Sequence, residues 1–169
     1  AIDPADARET QDREDTLHWI ASGVGLIRVR KPATPPKHLV AYALPWDRGG
    51  RRVLMIDHRL SGLWLPPGGH VEEDETPASC AIRELSEELA AVPVVNESPT
   101  PMFLTVQETV GSEPHVDVSF WFMISVDPTA PLTPDAREMR CVRWLTHDEI
   151  LATPLDTMEP NMYRFIAKA

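Results

Sequence analysis

Glu84, Glu87 and Glu88 stand three and four positions apart in the most helical stretch of the chain. On an α-helix each residue turns about 100°, so these three carboxylates share one face. Each like-charge pair at that spacing opposes helix formation by roughly 0.2–0.5 kcal/mol. The only base among them is Arg83. A hard divalent cation converts that liability into a site, because Mg²⁺ prefers oxygen ligands and keeps several of its waters. Metal binding brings the pKa of a water toward neutrality, and a neighbouring carboxylate can take the proton. Just upstream, Gly68 and Gly69 carry no side chain, so their backbone groups can approach a metal or a phosphate closely. A Glu-Glu pair on a helix is ordinarily no more than a solvated acidic face. What sets this one apart is the pattern around it.

The elements that must hold this stretch are legible from periodicity and punctuation. Residues 76–91 read as a helix, with Thr76 as N-cap and Pro77 at the first helical position, where its missing N–H does no harm. Ala78, Ala81, Ile82, Leu85 and Leu89 recur at intervals of three and four and form one apolar stripe beside the acids. Pro93 stops the helix. Residues 24–29, 38–44, 53–56, 102–109, 116–126 and 141–145 read as strands, with 53–56 central in a sheet, and Trp64-Leu65 is followed by a break at Pro66-Pro67-Gly68-Gly69. Asp47-Arg48-Gly49-Gly50 reads as a turn. Residues 10–22 show a weaker helical pattern, with Leu17 and Ile20 on one side and a stop at Gly23. The chain from Ile150 onward, above all 156–168, reads as helical. Strands outnumber helices, and the helices come singly between groups of strands. That order implies an α+β fold with a mixed sheet.

Composition bounds the function. The 169 residues suit one domain, and 43% hydrophobic with 25% charged residues is the balance of a soluble globular protein. The formal charge of −10, from 26 acids and 16 bases, disfavours a nucleic-acid polymer or an anionic membrane as partner. It is compatible with a small anionic substrate whose charge is screened by metal. No apolar run approaches the roughly 20 residues that cross a bilayer, and the first residues are too polar for a signal peptide. Cys80 and Cys141 are far apart and form no metal-ligand spacing; both are expected as buried free thiols, which points to a reducing, cytoplasmic setting.

The stretch from Gly68 to Ala91 resembles the Nudix box, written G-x5-E-x7-R-E-U-x-E-E-x-G-U with U aliphatic. Gly69 is the opening glycine, Glu75 follows after five residues, and Arg83-Glu84 after seven more. Leu85 is the aliphatic position and Glu87-Glu88 complete the acidic pair. Every charged position matches in type and spacing, and Leu65-Pro66-Pro67-Gly68 looks like the family's approach to the box. Two positions depart: the late glycine is Ala90 and the final aliphatic is Ala91. That glycine ends the helix in the family, so its loss is expected to shift the terminus toward Pro93.

The resemblance implies an αβα sandwich, with residues 1–22 a helical extension and 23–169 the hydrolase domain. It implies that Glu84, Glu87 and Glu88 bind Mg²⁺ or Mn²⁺ with help from the backbone carbonyl of Gly68. Glu84 is then a candidate general base, and Glu75 pairs with Arg83 to hold the loop against the helix. The implied reaction is attack of water on a diphosphate linking a nucleoside to another moiety. A homodimer is expected by the same analogy. The alternative is a non-catalytic nucleotide-binding module on the same fold. Isomerisation of an isoprenoid diphosphate is disfavoured, because neither cysteine looks poised for it.

Outside the box the candidates stay open. Glu108, Glu113 and Asp117 could each add a ligand or a base, and no motif selects among them; His115 and Asp117 flank a strand start where they could face a ligand. Trp64 could stack on a base or fill core, and His58-Arg59 could meet a phosphate. Tyr42 and Tyr163 are the only tyrosines, so the downstream tyrosine associated with dinucleoside polyphosphate hydrolases is absent.

Overall fold

The structure is a computed structural model that describes residues 2–94, 98–109 and 114–169. Its centre is β1 (Lys37–Asp47), a long strand with two buried faces. Along its whole length β1 pairs in parallel with β6 (Val116–Ser125), from Lys37 opposite Val116 to Trp46 opposite Ser125. β6 in turn pairs antiparallel with β5 (Phe103–Glu108). The other edge of β1 is divided. Its end pairs with β2 (Arg52–His58), and its first half pairs with the short β4 (Gly68–His70). β2 also carries β3 (Trp64–Leu65) on one side and β7 (Met139–Thr146) on the other. The result is a mixed sheet with helices on its faces, the α+β sandwich expected from the sequence.

Alternation along β1 sorts its side chains between two cores. Leu39, Ala41 and Ala43 face α2 (Pro77–Leu89) and pack with its Cys80, Ala81, Leu85 and Leu89. Tyr42 and Leu44 face the other way, toward Met162, Phe165 and Ile166 of α4 (Met162–Lys168), with Phe103 and Trp121 between. α3 (His147–Ala152) closes this second core through Ile150.

Residues 24–29, read as a strand, form none: both edges of β1 are already taken, and the segment meets the sheet through the Leu26 carbonyl, which accepts from Leu39 N–H at 2.8 Å, while Leu26 and Ile27 pack against the first core. The N-terminal helix α1 (Ala7–Ala21) does not dock through Leu17 and Ile20, which are exposed; its buried residues are Glu9, Asp12 and Thr16. The reason is the surface it covers. β5 is the edge of the sheet, with ladder groups that need partners. The Glu9 carboxylate accepts from Leu104 N–H and from Lys168 Nζ, while Arg8 donates to the Val106 carbonyl. A polar helix therefore caps the strand edge. Cys141, expected buried, is exposed on β7; Cys80 is buried as expected.

The helix that carries the acids is well defined at both ends. Thr76 and Ser79 form a reciprocal capping box, and Pro77 occupies the first turn. The C-terminus does not run on toward Pro93. Ala90 takes the left-handed conformation, with φ 54° and ψ 25°, where the family pattern has glycine. Ala90 N–H and Ala91 N–H then return to the carbonyls of Ser86 and Leu85. The loop before β7 satisfies two more, with Asp135 N–H on Glu88 and Thr133 N–H on Leu89. With its last carbonyls fixed by four N–H groups, the turn holds despite the methyl group.

A left-handed alanine carries strain of about 1–2 kcal/mol, part of which glycine gives back through its freer unfolded chain. Ala90→Gly is therefore expected to raise stability by about 0.5–1 kcal/mol, read as a higher urea midpoint with an unchanged m-value.

Candidate active site

β4 and α2 build the site between them. β4 lies antiparallel to β1, with Gly69 opposite Ala41 and Gly68 opposite Tyr42. Neither position admits a side chain without something giving way. A Cβ at Gly68 would overlap the Ala41 carbonyl oxygen, and one at Gly69 would overlap the Glu84 carboxylate. The second overlap places Glu84 directly against the β4 backbone.

Arg83 organises the acids. Its Nε and Nη2 form a fork on Glu75, at 2.9 Å to Oε1 and 3.0 Å to Oε2. Nη1 donates to Glu84 Oε1 at 2.7 Å and to Glu87 Oε2 at 3.2 Å. Nη2 also reaches the His70 carbonyl at 3.2 Å. Glu75 itself accepts from Glu72 N–H, closing the loop between β4 and α2. Hydrogen bonds from Arg83 hold the Glu75 carboxyl below the usual range, and the pair with Glu75 and Glu84 raises the guanidinium further above neutrality.

The remaining acids are short of positive charge. Burial pushes the Glu84 carboxyl up, with Arg83 pulling against it. Glu88 is buried, and that burial, together with Glu84 and Glu138 alongside, pushes its carboxyl up to about 8; the Gly68 N–H offsets only part of this. Its Oε2 has no hydrogen-bond partner among the described residues. Glu87, by contrast, keeps a side chain that is 61% exposed. A buried carboxylate with a partnerless oxygen, beside two further acids, fits a divalent cation with oxygen preference.

Glu75, Arg83, Glu84, Glu87 and Glu88 are thus gathered at one place, with Gly68 beside them. The other candidates divide. Glu108 is exposed at the end of β5, Asp117 turns toward a group of histidines, and Glu113 lies outside the described residues. The downstream acid that the structure does bring to Glu84 and Glu88 is Glu138. No spacing rule could have found it, because it arrives through the loop that caps α2. Arg59 has a structural part. Its Nε donates to the carbonyls of Ala136 and Met139 at 2.8 and 3.0 Å, and its N–H to that of Glu138, so it fastens the loop that carries Glu138. Trp64 packs against the second core, with Arg143 over its ring.

A mixed sheet between helices, with a glycine strand leading into a helix that gathers acids around one arginine, is the arrangement that the pattern from Gly69 to Glu88 implied. The chain belongs to the Nudix family: the family model described as NUDIX domain matches residues 36–169. Among curated relatives it is similar to the phosphatase NudJ of Escherichia coli strain K12 and that of Shigella flexneri. Each is 29% identical over 102 residues, which cover 59% of this chain and 63% of the relative. The chain therefore spans less than two thirds of the length of these relatives. Solved structures with the same fold include an Ap4A hydrolase from C. elegans, with TM-score 0.59 and 16% identity over 77% of this chain and 93% of that one. A bifunctional NMN adenylyltransferase/ADP ribose pyrophosphatase from Francisella tularensis gives TM-score 0.58 at 21% identity, covering 95% of this chain and 45% of that one. A MutT NUDIX hydrolase from Burkholderia pseudomallei gives 0.56 at 19%, covering 78% and 96%.

The two glycines should separate folding from site geometry. Gly68→Ala meets backbone that cannot give way, whereas Gly69→Ala meets a side-chain end that can. Gly68→Ala is expected to lower stability by about 1–3 kcal/mol, and Gly69→Ala by clearly less. Urea unfolding of the two variants beside the parent protein reads this difference.

Proposed function

We propose that this protein is a metal-dependent hydrolase that uses water to split a diphosphate linkage in a small nucleotide-like molecule. The observation that carries the reading is the buried Glu88 carboxylate, pushed up by burial and by Glu84 and Glu138, with an oxygen that no group among the described residues satisfies. Glu84, Glu87 and Glu88, with the Gly68 carbonyl, would hold Mg²⁺, or Mn²⁺ in its place. When bound, the cation would neutralise phosphate oxygens and acidify a water. Glu84, the base by family analogy, has one oxygen engaged by Arg83. Arg83 and Glu75 act by positioning: the guanidinium is already committed to carboxylates and a carbonyl, and so does not reach for substrate phosphate.

The substrate class rests on what the similar proteins are called: a phosphatase, an ADP ribose pyrophosphatase and an Ap4A hydrolase. The shared chemistry is an anhydride between phosphates. No helix among the described residues is long and apolar enough to cross a membrane, which fits a small dissolved substrate. The family match from residue 36 supports placing the catalytic domain after α1, with residues 1–22 an extension that braces β5.

The test is product release from nucleoside triphosphates, nucleotide sugars, ADP-ribose and dinucleoside polyphosphates, each with Mg²⁺, with Mn²⁺ and with EDTA. Turnover of at least one class is expected, abolished by EDTA and lowered about 10²–10⁴-fold in Glu88→Gln. Absence of turnover across the panel with either metal would sink the hydrolase reading.

A further inference from the structure

On the face of β1 opposite α2, three histidines and an aspartate converge. His38 lies on β1 opposite Asp117 of β6, and Val40, two residues along the same face, lies opposite His70 of β4. His115 precedes β6. One ligand atom from each of His38, His70, His115 and Asp117 lies within 4.8 Å of the others. His38 Nε2 is 3.3 Å from Asp117 Oδ1, and His115 Nε2 is 3.4 Å from the same oxygen. Donor atoms on a tetrahedral Zn²⁺ with bonds near 2.0–2.1 Å stand about 3.3 Å apart. The spacing therefore needs only small side-chain rotations to close on an ion.

The second observation is that three of the convergent atoms are buried and unsatisfied. His38 is fully buried, and its Nε2, like His70 Nε2 and Asp117 Oδ1, makes no hydrogen bond among the described residues. Burying one such polar atom is unfavourable by roughly 1–3 kcal/mol, and here three are aimed at one point. The opposite edge of the His38 ring is committed. Its Nδ1 lies 3.0 Å from the Pro35 carbonyl, which can only accept, so Nδ1 carries a proton and Nε2 is the nitrogen turned to the cluster. His115 Nδ1 is likewise engaged, by Thr109 Oγ1 at 3.2 Å. A ring whose far nitrogen is held by a carbonyl or hydroxyl is what fixes imidazoles as metal ligands.

We propose that His38, His70, His115 and Asp117 form a second metal site, selective for Zn²⁺ or a similar imidazole-seeking first-row transition ion. Three imidazoles and one carboxylate suit Zn²⁺ and disfavour Mg²⁺, which wants oxygen. The site clasps β4, β1 and β6 together at the residue next to Gly69. It stands independently of the hydrolase reading.

The experiment is a titration of tag-free, metal-stripped full-length protein with Co²⁺ in a large excess of Mg²⁺, followed by its visible absorption and then by competition with Zn²⁺. One equivalent of Co²⁺ is expected, with the intense spectrum of a four-coordinate ion that Zn²⁺ abolishes. Asp117→Asn and His115→Ala should each weaken binding at least tenfold, while Glu88→Gln leaves affinity and spectrum unchanged. Circular dichroism and urea unfolding identify any variant that has lost its fold. His115→Ala and Asp117→Asn alter partly exposed groups, so a folded variant is available. The proposal fails if Co²⁺ does not bind, if it gives only a weak octahedral spectrum, or if binding is lost with Glu88→Gln and kept in folded Asp117→Asn and His115→Ala. None of these readouts depends on turnover.

Discussion

The Arg83 guanidinium is the constraint on which the box depends. Three glutamates crowd around one planar cation, and two of them, Glu75 and Glu84, are mostly shielded from solvent. Unscreened, such carboxylates would push apart, since two like charges 4 Å apart repel by roughly 4 kcal/mol at an effective dielectric of 20. The fork on Glu75 settles the loop, the bond to Glu84 settles the helix side, and the bond to the His70 carbonyl settles β4. One side chain thus joins three segments that no backbone ladder connects. A lysine could supply the charge but not the fork, because its ammonium is a point charge without planar geometry.

Arg83 works only because the sheet brings β4 to it. β1 has one edge filled by β6 and divides its other edge between β2 and β4. That division leaves room for a strand of three residues with two glycines, one tight against the β1 backbone and the other against the Glu84 carboxylate of α2. The tight fit is conferred by the stripe of Ala81, Leu85 and Leu89, which seats α2 on the alanines of β1. Small residues in the strand and larger ones in the helix set the distance between carboxylates and backbone. Far from the site, α1 serves the same sheet by closing the β5 edge with Glu9 and Arg8.

The box helix was legible because its signals are local: Thr76-Pro77 at its start, apolar spacing through it, and acids at three and four. Most strands were legible from apolar runs, but 24–29 favours a strand where no sheet edge is left, and β4 went unread because two glycines and a histidine carry no strand signal and the segment reads as a break. The helical pattern of α1 was legible but not the surface it covers: Leu17 and Ile20 stay exposed, because α1 answers to unpaired backbone groups that appear only once β5 is an edge. Cys141 looked buried because it opens an apolar run, but it falls on an outward position of β7. Glu138 and the convergence of His38 and His70 with His115 and Asp117 depend on contacts between distant segments. His115 and Asp117 could be noticed as a polar strand start. Their partners come from strands more than 40 residues earlier, set by the parallel register of β1 and β6.

That register has a chemical consequence. The two faces of the β1–β4 pair present donors of opposite character: carboxylates from α2 on one, imidazoles from the strands themselves on the other. Ions sort between such sites by ligand type more than by size, because Mg²⁺ sheds water reluctantly for nitrogen and Zn²⁺ binds imidazole well. The two sites are also mechanically joined, since His70 offers its ring to the histidine cluster and its carbonyl to Arg83. An ion on the histidines would fix the His70 backbone, and with it the acceptor that orients the guanidinium. Whatever holds β4 in place from one face therefore helps set the carboxylate geometry on the other.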